Sequence, residues 1–223
     1  MSIAPTRLRY QTAGESHGPA LVTTVLGLPA GVPVDLDLIN TELRRRQGGY
    51  GRGGRQKLET DVVEVLTGVR RGKTIGSPVT LMLKNRDSRL DDLERTPPVY
   101  RPRPGHADLA GSVKWLTTDC RETLERASAR ETAARVAGGA LAKCLLRDVF
   151  GVEVFGFVRQ ILDARTDVDV TPGNWRSLIG ARDASDTYTL DEATTERQRQ
   201  IIRQTKIDKD TVGGWVEAHF FGL

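Results

Sequence analysis

The sequence has 223 residues, of which 38% are hydrophobic and 28% charged, and its formal net charge is +4 at pH 7. This composition is typical of a globular chain with a substantial core and excludes an intrinsically disordered one. Proteins that bind polyanions strongly usually carry a larger excess of positive charge. No apolar run approaches the roughly 20 residues that are needed to cross a bilayer. We therefore expect no membrane partner and no need for nucleic acid.

Cysteine content and the first residues bear on the compartment. Cys120 and Cys144 are the only cysteines, and neither belongs to a C-x-x-C pair. A disulfide framework and a cysteine zinc site are both disfavoured. Residues 1–10 contain no apolar segment of the kind found in secretory signals. The sequence predicts a cytoplasmic protein.

The first part of the chain alternates between strand-like and helical patterns. Asp35 or Asp37 can cap a helix whose Leu38, Ile39 and Leu43 face the core. A tight glycine-flanked turn that contains Ser16 and His17 separates the first two strand patterns. The predicted elements here are strands at 7–12, 20–28, 61–67 and 79–83, and a helix that ends near Gln47.

A basic, glycine-rich segment, from Arg44 to Asp61, comprises the last turn of this helix and the loop after it. Between Arg44 and Lys57 it carries six cationic side chains, five glycines and no acidic residue. Glycine lets the backbone approach an anion closely, and arginine pairs with carboxylate and phosphate oxygens. We interpret the segment as a candidate pocket for a small, multiply anionic molecule. A solvated basic loop and a nucleic-acid contact remain alternatives.

The second part of the chain begins with a long proline-containing loop, residues 85–105, and such loops are often functional or mobile. Its strongest helical pattern is Ser128–Phe150, where Ser128 and Glu131 fit a capping box and small residues form a stripe that predicts burial against a sheet. We expect residues 163–188 to be irregular. The other predicted elements are helices at 109–116 and 190–206 and strands at 152–162 and 212–221.

Two of the three histidines, His17 and His106, lie between turn-forming residues. Histidine titrates near neutrality, which suits proton transfer. The alternative for each is a hydrogen bond to a backbone group within its loop. His219 alternates with apolar residues, so we interpret it as structural. No histidine spacing indicates a metal site, and neither a P-loop nor a G-x-G-x-x-G pattern occurs.

Arg126 and Arg130 lie one helical turn apart beside Ser128, at the start of the predicted long helix. A helix N-terminus with two arginines can bind an anion. The alternative is an exposed ion pair of Arg130 with Glu131 or Glu125. Taken alone, these residues indicate an α/β or α+β protein with an anion pocket and two candidate proton-transfer histidines.

Five ordered segments of the chain together resemble the chorismate synthase family. They are Gly14–Gly18, Arg44–Asp61, Gly76–Pro78 with Asn85–Asp87, Arg103–Asp108 and Arg126–Ala137. The resemblance runs from Gly14 to about Arg147 and resumes at Asp210–Gly214. It implies an α+β fold, a β-α-β sandwich of mainly antiparallel sheets that enclose helices. Residues 1–223 would form a single domain of this kind, incomplete at its C-terminus.

The resemblance also implies an activity. Chorismate synthases act in aromatic amino acid biosynthesis, where they convert 5-enolpyruvylshikimate 3-phosphate to chorismate by an anti-1,4-elimination of phosphate. The implied cofactor is reduced FMN, with NADPH as reductant in members that reduce their own flavin. The implied assembly is a homotetramer.

Site residues follow from the matching positions. Proton transfer is assigned to His17 and His106, and substrate binding to Ser16, Arg46, Arg52, Arg55 and Arg130. FMN contacts are assigned to Arg126, Ala127 and Ser128, NADP contacts to Arg46 and Arg52, and no metal is implied. Family members continue beyond Leu223 with an Arg-His-Asp-Pro motif, so we expect either a fragment or a truncated product. Two alternatives are an inactive anion-binding remnant and an Arg/Gly nucleic-acid-binding module.

Overall fold

The computed structural model describes residues 7–52 and 59–223. They separate into two compact units, one of residues 7–44 and 59–145 and one of residues 45–52 and 146–223. Helices mix with antiparallel sheets in both parts of the chain, which confirms the predicted α+β class. The single domain expected over residues 1–223 stays a prediction.

A four-stranded antiparallel sheet in the order β1-β2-β6-β3 is the framework of the first unit. Buried and half-buried residues alternate along β2 because successive strand side chains point to opposite faces. The elements up to residue 150 are strands β1 (Arg9–Ala13), β2 (Ala20–Leu26), β3 (Glu64–Thr67), β4 (Val69–Arg70), β5 (Lys73–Thr74) and β6 (Val79–Lys84), and helices α1 (Leu36–Gln47), α2 (Asp108–Trp115), α3 (Arg121–Arg126) and α4 (Thr132–Phe150).

Helices α1 and α4 contribute to the same hydrophobic core as β2 and β6. On α1, Ile39 and Leu43 are fully buried, as their spacing predicts. On α4 the small side chains allow close approach to the sheet: a Cβ added at Gly138 would lie 3.1 Å from Thr23 Oγ1 of β2. The prediction of a small-residue helix buried against a sheet is therefore confirmed.

The start of the long helix differs in detail from the predicted capping box. Ser128 accepts a hydrogen bond from the backbone N–H of Arg130 and caps a short 3₁₀ turn, after which the α-helix begins. The Glu131 carboxylate does not reach back to Ser128. It accepts from the Thr12 hydroxyl at 2.6 Å and from Arg135 at 2.7 Å. The Ser128 half of the capping box is therefore present, and the Glu131 half was wrong, because Glu131 binds Thr12 and Arg135 instead.

Asp35 is the residue that caps α1, since its Oδ1 accepts from the backbone N–H of Leu38 at 2.9 Å. The turn predicted between residues 68 and 78 contains the small hairpin β4–β5, in which Val69 pairs with Thr74. Helix α3 was not predicted, because Leu124 is its one apolar residue and leaves no periodic signal.

The second unit has a three-stranded antiparallel sheet in the order β8-β7-β9. Its core contains Phe155, Phe157, Trp175 and Leu190. The elements after residue 150 are strands β7 (Glu153–Ile161), β8 (Ala164–Arg165) and β9 (Gly214–Phe221), and helices α5 (Trp175–Ala184) and α6 (Glu192–Ile207).

Helix α5 lies within the segment 163–188, so the prediction of irregular structure there was wrong. Trp175 holds the helix in place: its ring stacks on Phe221 at 5.1 Å between centroids and lies 6.2 Å from Phe155. Leu178 and Ile179 pack on the same cluster. The spacing of these apolar residues, i, i+3 and i+4, is a helical signal that the polar composition of the segment concealed.

Two helical glycines provide a matched test of the packing in the first unit. A Cβ at Gly111 of α2 would lie 2.0 Å from Thr123 Oγ1 of α3, whereas a Cβ at Gly139 of α4 would meet nothing within 4 Å. We expect Gly111→Ala to lower the free energy of unfolding by about 1–3 kcal/mol, through overpacking. Gly139→Ala should leave it unchanged or raise it by up to about 1 kcal/mol, because alanine favours helix.

Urea unfolding followed by circular dichroism measures both effects. Equal changes in the two variants would contradict the close α2–α3 contact.

Candidate functional site

The turn that carries Ser16 and His17 joins β1 to β2. Gly14 begins it at φ +99°, and a Cβ there would lie 2.2 Å from the carbonyl oxygen of Ala20, so only glycine fits. Ser16 is buried, and its backbone N–H donates to the carbonyl oxygen of Glu125 at 3.1 Å. The turn is therefore attached to helix α3.

Asn85 holds the same turn from the other side. Its side-chain amide donates to the carbonyl oxygens of Glu15 at 3.0 Å and Gly18 at 2.8 Å, and its backbone N–H donates to the carbonyl oxygen of Pro19 at 3.0 Å. The Asn85 side-chain oxygen accepts from Arg130 Nε at 3.0 Å. Both ends of the Ser16-His17 turn are thus tied to a buried amide.

The His17 ring points its Nδ1 at a buried carboxylate. Nδ1 lies 2.7 Å from Glu125 Oε2, and the backbone N–H of His17 donates to the same oxygen at 3.0 Å. The side chain of Glu125 has no solvent exposure, and its Oε1 accepts from Arg121 at 3.3 Å. The backbone N–H of His17 and the Arg121 guanidinium therefore donate to the carboxylate that also faces the His17 ring.

The other ring nitrogen, His17 Nε2, faces two charged groups of the following loop. It lies 3.4 Å from Arg89 Nη2 and 3.5 Å from Asp87 Oδ2. The backbone N–H groups of Arg89 and Leu90 both donate to the carbonyl oxygen of His17, at 2.8 and 2.9 Å. The start of the long loop is thus held against the histidine.

A cavity of about 510 Å³ opens at this loop and is lined by Arg86, Asp87, Arg89 and Arg95. Three guanidinium groups and one carboxylate give the lining a net positive charge, which favours an anion. Two of the lining residues, Asp87 and Arg89, are the ones that contact His17 Nε2. An anion in this cavity would therefore lie beside a group that can exchange a proton.

Arg130 is buried, with 6% of its surface exposed, and its partners are internal. Its Nη1 lies 2.5 Å from Asp61 Oδ1, and its Nη2 lies 3.7 Å from Glu59 Oε2. The alternative of an exposed ion pair with Glu131 or Glu125 was wrong, because a guanidinium that leaves water needs buried partners of opposite charge. Its role as a substrate contact stays a prediction.

The segment assigned to FMN, residues 126–128, connects α3 to the 3₁₀ turn before α4. Arg126 Nη2 donates to the Thr12 carbonyl oxygen at 2.7 Å and to the Thr12 hydroxyl at 2.9 Å, while 40% of its side chain is exposed. Ala127 ends α3, with its N–H donating to the carbonyl oxygen of Thr123. An oriented guanidinium thus lies two residues from the Ser128 hydroxyl.

His106 has the same kind of partner as His17. Its Nδ1 lies 2.6 Å from Oδ1 of Asp108, a side chain with no solvent exposure. Arg103 binds that carboxylate with Nε at 2.9 Å, Nη2 at 3.2 Å and its backbone N–H at 3.0 Å. These hydrogen bonds from Arg103 outweigh the effect of burial and hold the pKa of Asp108 well below its ordinary value, and the bond from His106 lowers it further.

Of the predicted arginines, Arg46 and Arg52 belong to the second unit, and Arg55 lies outside the described residues.

Tyr188 holds the main chain at the start of the Arg/Gly segment. Its hydroxyl donates to the Arg45 carbonyl oxygen at 2.6 Å. A Cβ at Gly48 would lie 2.2 Å from that hydroxyl, so the glycine admits the tyrosine. Burial raises the pKa of Tyr188, against the opposing charges of Arg52 and Arg45. Tyr188 therefore stays a hydrogen-bond donor at neutral pH.

Four residues at the histidines were missed by sequence reasoning: Asp87, Arg89, Asp108 and Glu125. Asp87 and Asp108 lie in segments that carry the family resemblance, which was the available signal. Glu125 was considered only as an exposed partner of Arg130, because no helix was predicted around it.

Neither a metal centre nor a membrane span emerges from residues 7–52 and 59–223. No group of three or more His, Cys, Asp or Glu side chains there is arranged to hold a metal ion. Within the same ranges no helix has the length and apolar character needed to cross a membrane.

Comparisons with known proteins agree on one family. The family model described as chorismate synthase matches residues 8–223. The chorismate synthase of Symbiobacterium thermophilum is 49% identical over 97% of this chain, and that of Solibacter usitatus is 45% identical over 97% of it. A crystal structure of a chorismate synthase superposes with a TM-score of 0.76 at 36% identity and covers 96% of the chain.

The chain spans 58% of the length of each of these three proteins. Over that length, the match to the family model includes both histidine turns, the loop that contacts His17 and the start of α4. The chain belongs to the chorismate synthase family.

Proposed function

We propose that this protein acts in chorismate synthesis: it converts 5-enolpyruvylshikimate 3-phosphate to chorismate by anti-1,4-elimination of phosphate. The observation that supports this most is the pair of histidines, each with Nδ1 on a fully buried carboxylate. That arrangement orients a proton-transfer group at two separate places, as the loss of phosphate and of a ring hydrogen requires. Family membership supports the same activity.

The substrate carries two carboxylates and a phosphate, and the chain offers several arginines for them. The cavity lined by Arg86, Arg89 and Arg95 lies beside His17. We assign the phosphate to this side and propose Ser16, Arg46, Arg52, Arg55 and Arg130 as further substrate contacts. Negative charge grows on the phosphate as it leaves, so preorganised guanidinium groups stabilise the transition state more than the ground state.

The two histidines are proposed to handle protons at different ends of the reaction. His17 contacts the basic cavity through Arg89 and is assigned to the leaving phosphate. His106 is assigned to the proton beside the cofactor. Both side chains are partly exposed, at 17% and 26%, so each can reach a ligand while its carboxylate partner stays buried.

Reduced FMN is the proposed cofactor, with Arg126, Ala127 and Ser128 as its contacts. The donor set fits a phosphate-bearing group, because Arg126 is oriented by Thr12 and still 40% exposed, and Ser128 supplies a hydroxyl. When bound, reduced FMN supplies electron density to the reaction without net oxidation or reduction. NADPH is proposed as the flavin reductant, with Arg46 and Arg52 as its contacts.

We propose a homotetramer, as the family resemblance implies, and a cytoplasmic location, as the cysteine content and the first residues predict. The Arg/Gly segment is assigned to small anions rather than to nucleic acid, because the histidines that accompany it have no role in binding a polyanion.

The activity is tested by anaerobic phosphate release from 5-enolpyruvylshikimate 3-phosphate with photoreduced FMN. We expect release that requires both reduced FMN and substrate. The chorismate synthase of Symbiobacterium thermophilum is the positive control, in full length and cut to the region that this chain matches. If the shortened relative is inactive, we expect residues 1–223 to be inactive as well. Calorimetric binding of 5-enolpyruvylshikimate 3-phosphate to residues 1–223 then tests the proposed function. If residues 1–223 bind DNA in a salt-dependent manner and do not bind the substrate, the nucleic-acid alternative is favoured.

His106→Ala should lower turnover more than it changes substrate affinity, because its assigned role is proton transfer rather than binding. We expect kcat to fall by about 100-fold with a small change in KM. His219→Gln is the matched control: His219 bonds Glu217 and stacks on Phe157 and Phe221 in the second unit. Steady-state kinetics of chorismate formation measure both, and an unchanged kcat in His106→Ala would contradict the assignment.

Asp108→Asn should reveal the stability that the charged carboxylate contributes. The pKa of Asp108 is lowered in the folded protein, so the unfolded chain binds more protons and stability falls as the pH falls. We expect the wild type to exceed Asp108→Asn in stability above pH about 4, the ordinary range of aspartate. That difference should shrink as the pH falls further.

Urea unfolding at a series of pH values measures the difference, and Asp91→Asn is the control because Asp91 is exposed. A gap between wild type and Asp108→Asn that stays constant down to pH about 3 would show that charge is not the cause.

A further inference from the structure

We propose that Glu125 is the positioning residue of His17. It holds the ring as the Nδ1–H tautomer, so that Nε2 is the atom at which His17 releases and takes up its proton. The inference rests on the proposed function for the identity of the reaction, but its structural part can be tested without turnover.

The first step concerns the hydrogen on Nδ1. Glu125 Oε2 lies 2.7 Å from His17 Nδ1 and also accepts the backbone N–H of His17, while Oε1 accepts from Arg121. An ionised carboxylate has acceptor oxygens only, so the short contact requires a hydrogen on Nδ1. A neutral imidazole has one N–H, so the lone pair is then on Nε2.

The second step concerns the rigidity of Glu125 itself. Arg121, one turn earlier on α3, is anchored to the carbonyl oxygen of Pro97 by Nε at 3.0 Å and Nη2 at 2.7 Å. The backbone of Glu125 accepts the N–H of Ser16 at 3.1 Å. One buried residue thus binds the turn through its main chain and the ring through its side chain, which fixes the direction in which Nε2 points.

The third step concerns what Nε2 faces. Arg89 Nη2 at 3.4 Å can donate to a neutral Nε2, and Asp87 Oδ2 at 3.5 Å can accept from a protonated one. Both protonation states therefore have a partner without rotation of the ring. When the phosphate leaves, the Nε2–H bond breaks, an O–H bond forms on phosphate, and the imidazolium becomes the neutral Nδ1–H imidazole.

The tautomer is measured on the ¹⁵N-labelled chain of residues 1–223 by two-bond ¹H–¹⁵N correlation spectra at alkaline pH, with His17→Gln to assign the signals. We expect the Nδ1–H pattern for His17 in the wild type. Glu125→Met has no oxygen to accept from Nδ1–H, so it should convert much of the pattern to the Nε2–H form that free histidine prefers. Glu122→Met, at an exposed residue of the same helix, is the matched control and should keep the Nδ1–H pattern.

An Nε2–H pattern for His17 in the wild type would overturn the proposal outright, even if Glu125→Met did not fold. An unchanged Nδ1–H pattern in a folded Glu125→Met variant would overturn it as well.

Kinetics supply the functional readout in whichever chain carries the activity. We expect Glu125→Met to lower kcat by about 10- to 100-fold, the range seen when the hydrogen-bond partner of a metal-bound histidine is removed, with little change in KM. Normal kcat beside an altered tautomer would overturn the positioning role. The expected tautomers together with no chorismate formation in any chain would instead contradict the proposed function and leave the Glu125–His17 geometry standing.

Discussion

The buried contact of Arg130 with Asp61 and Asn85 is the constraint on which the first unit's site depends. Arg130 and Asp61 are 6% and 3% exposed, so neither charge is solvated and each needs the other. Removing one partner of such a pair typically costs about 3–5 kcal/mol. Through Asn85 the contact extends to the carbonyl oxygens on both sides of the Ser16-His17 turn. The position of His17 therefore depends on a charge pair that joins the 3₁₀ turn before α4 to Asp61.

Both candidate proton-transfer histidines use the same physical device. In each, Nδ1 meets a carboxylate without solvent exposure, and an arginine occupies the other side of that carboxylate: Arg121 at Glu125 and Arg103 at Asp108. A buried hydrogen-bonded carboxylate restricts the ring more than a mobile surface partner would, because its own orientation is fixed. The two histidines differ in their surroundings, since only His17 contacts residues that line the basic cavity.

In the second unit, hydrogen bonds also fix the part of the Arg/Gly segment that belongs to it. Tyr188 binds the carbonyl oxygen of Arg45, and the backbone N–H of Tyr50 donates to the carbonyl oxygen of Asp186 at 2.7 Å. These two hydrogen bonds hold the main chain at Arg45 and Tyr50 and involve no arginine side chain. Glycine at position 48 is the condition for this contact, because a side chain there would displace the tyrosine hydroxyl.

Much of the fold was determined by local sequence. Small residues at helical spacing on α4, Asp35 before α1 and the alternation along β2 each act within one element, so their patterns predict that element directly. The segments with Ser16-His17 and Arg103–Asp108 likewise carry their chemistry in consecutive residues. Only the tertiary structure decided which charges are buried and paired: His17 with Glu125 across 108 positions, Arg130 with Asp61 across 69. Periodicity reports which face of an element is apolar, but it holds no information about which distant partner a charged side chain meets. That partner is chosen by packing, because a charge inside the core is stable only where the fold brings an opposite charge to it.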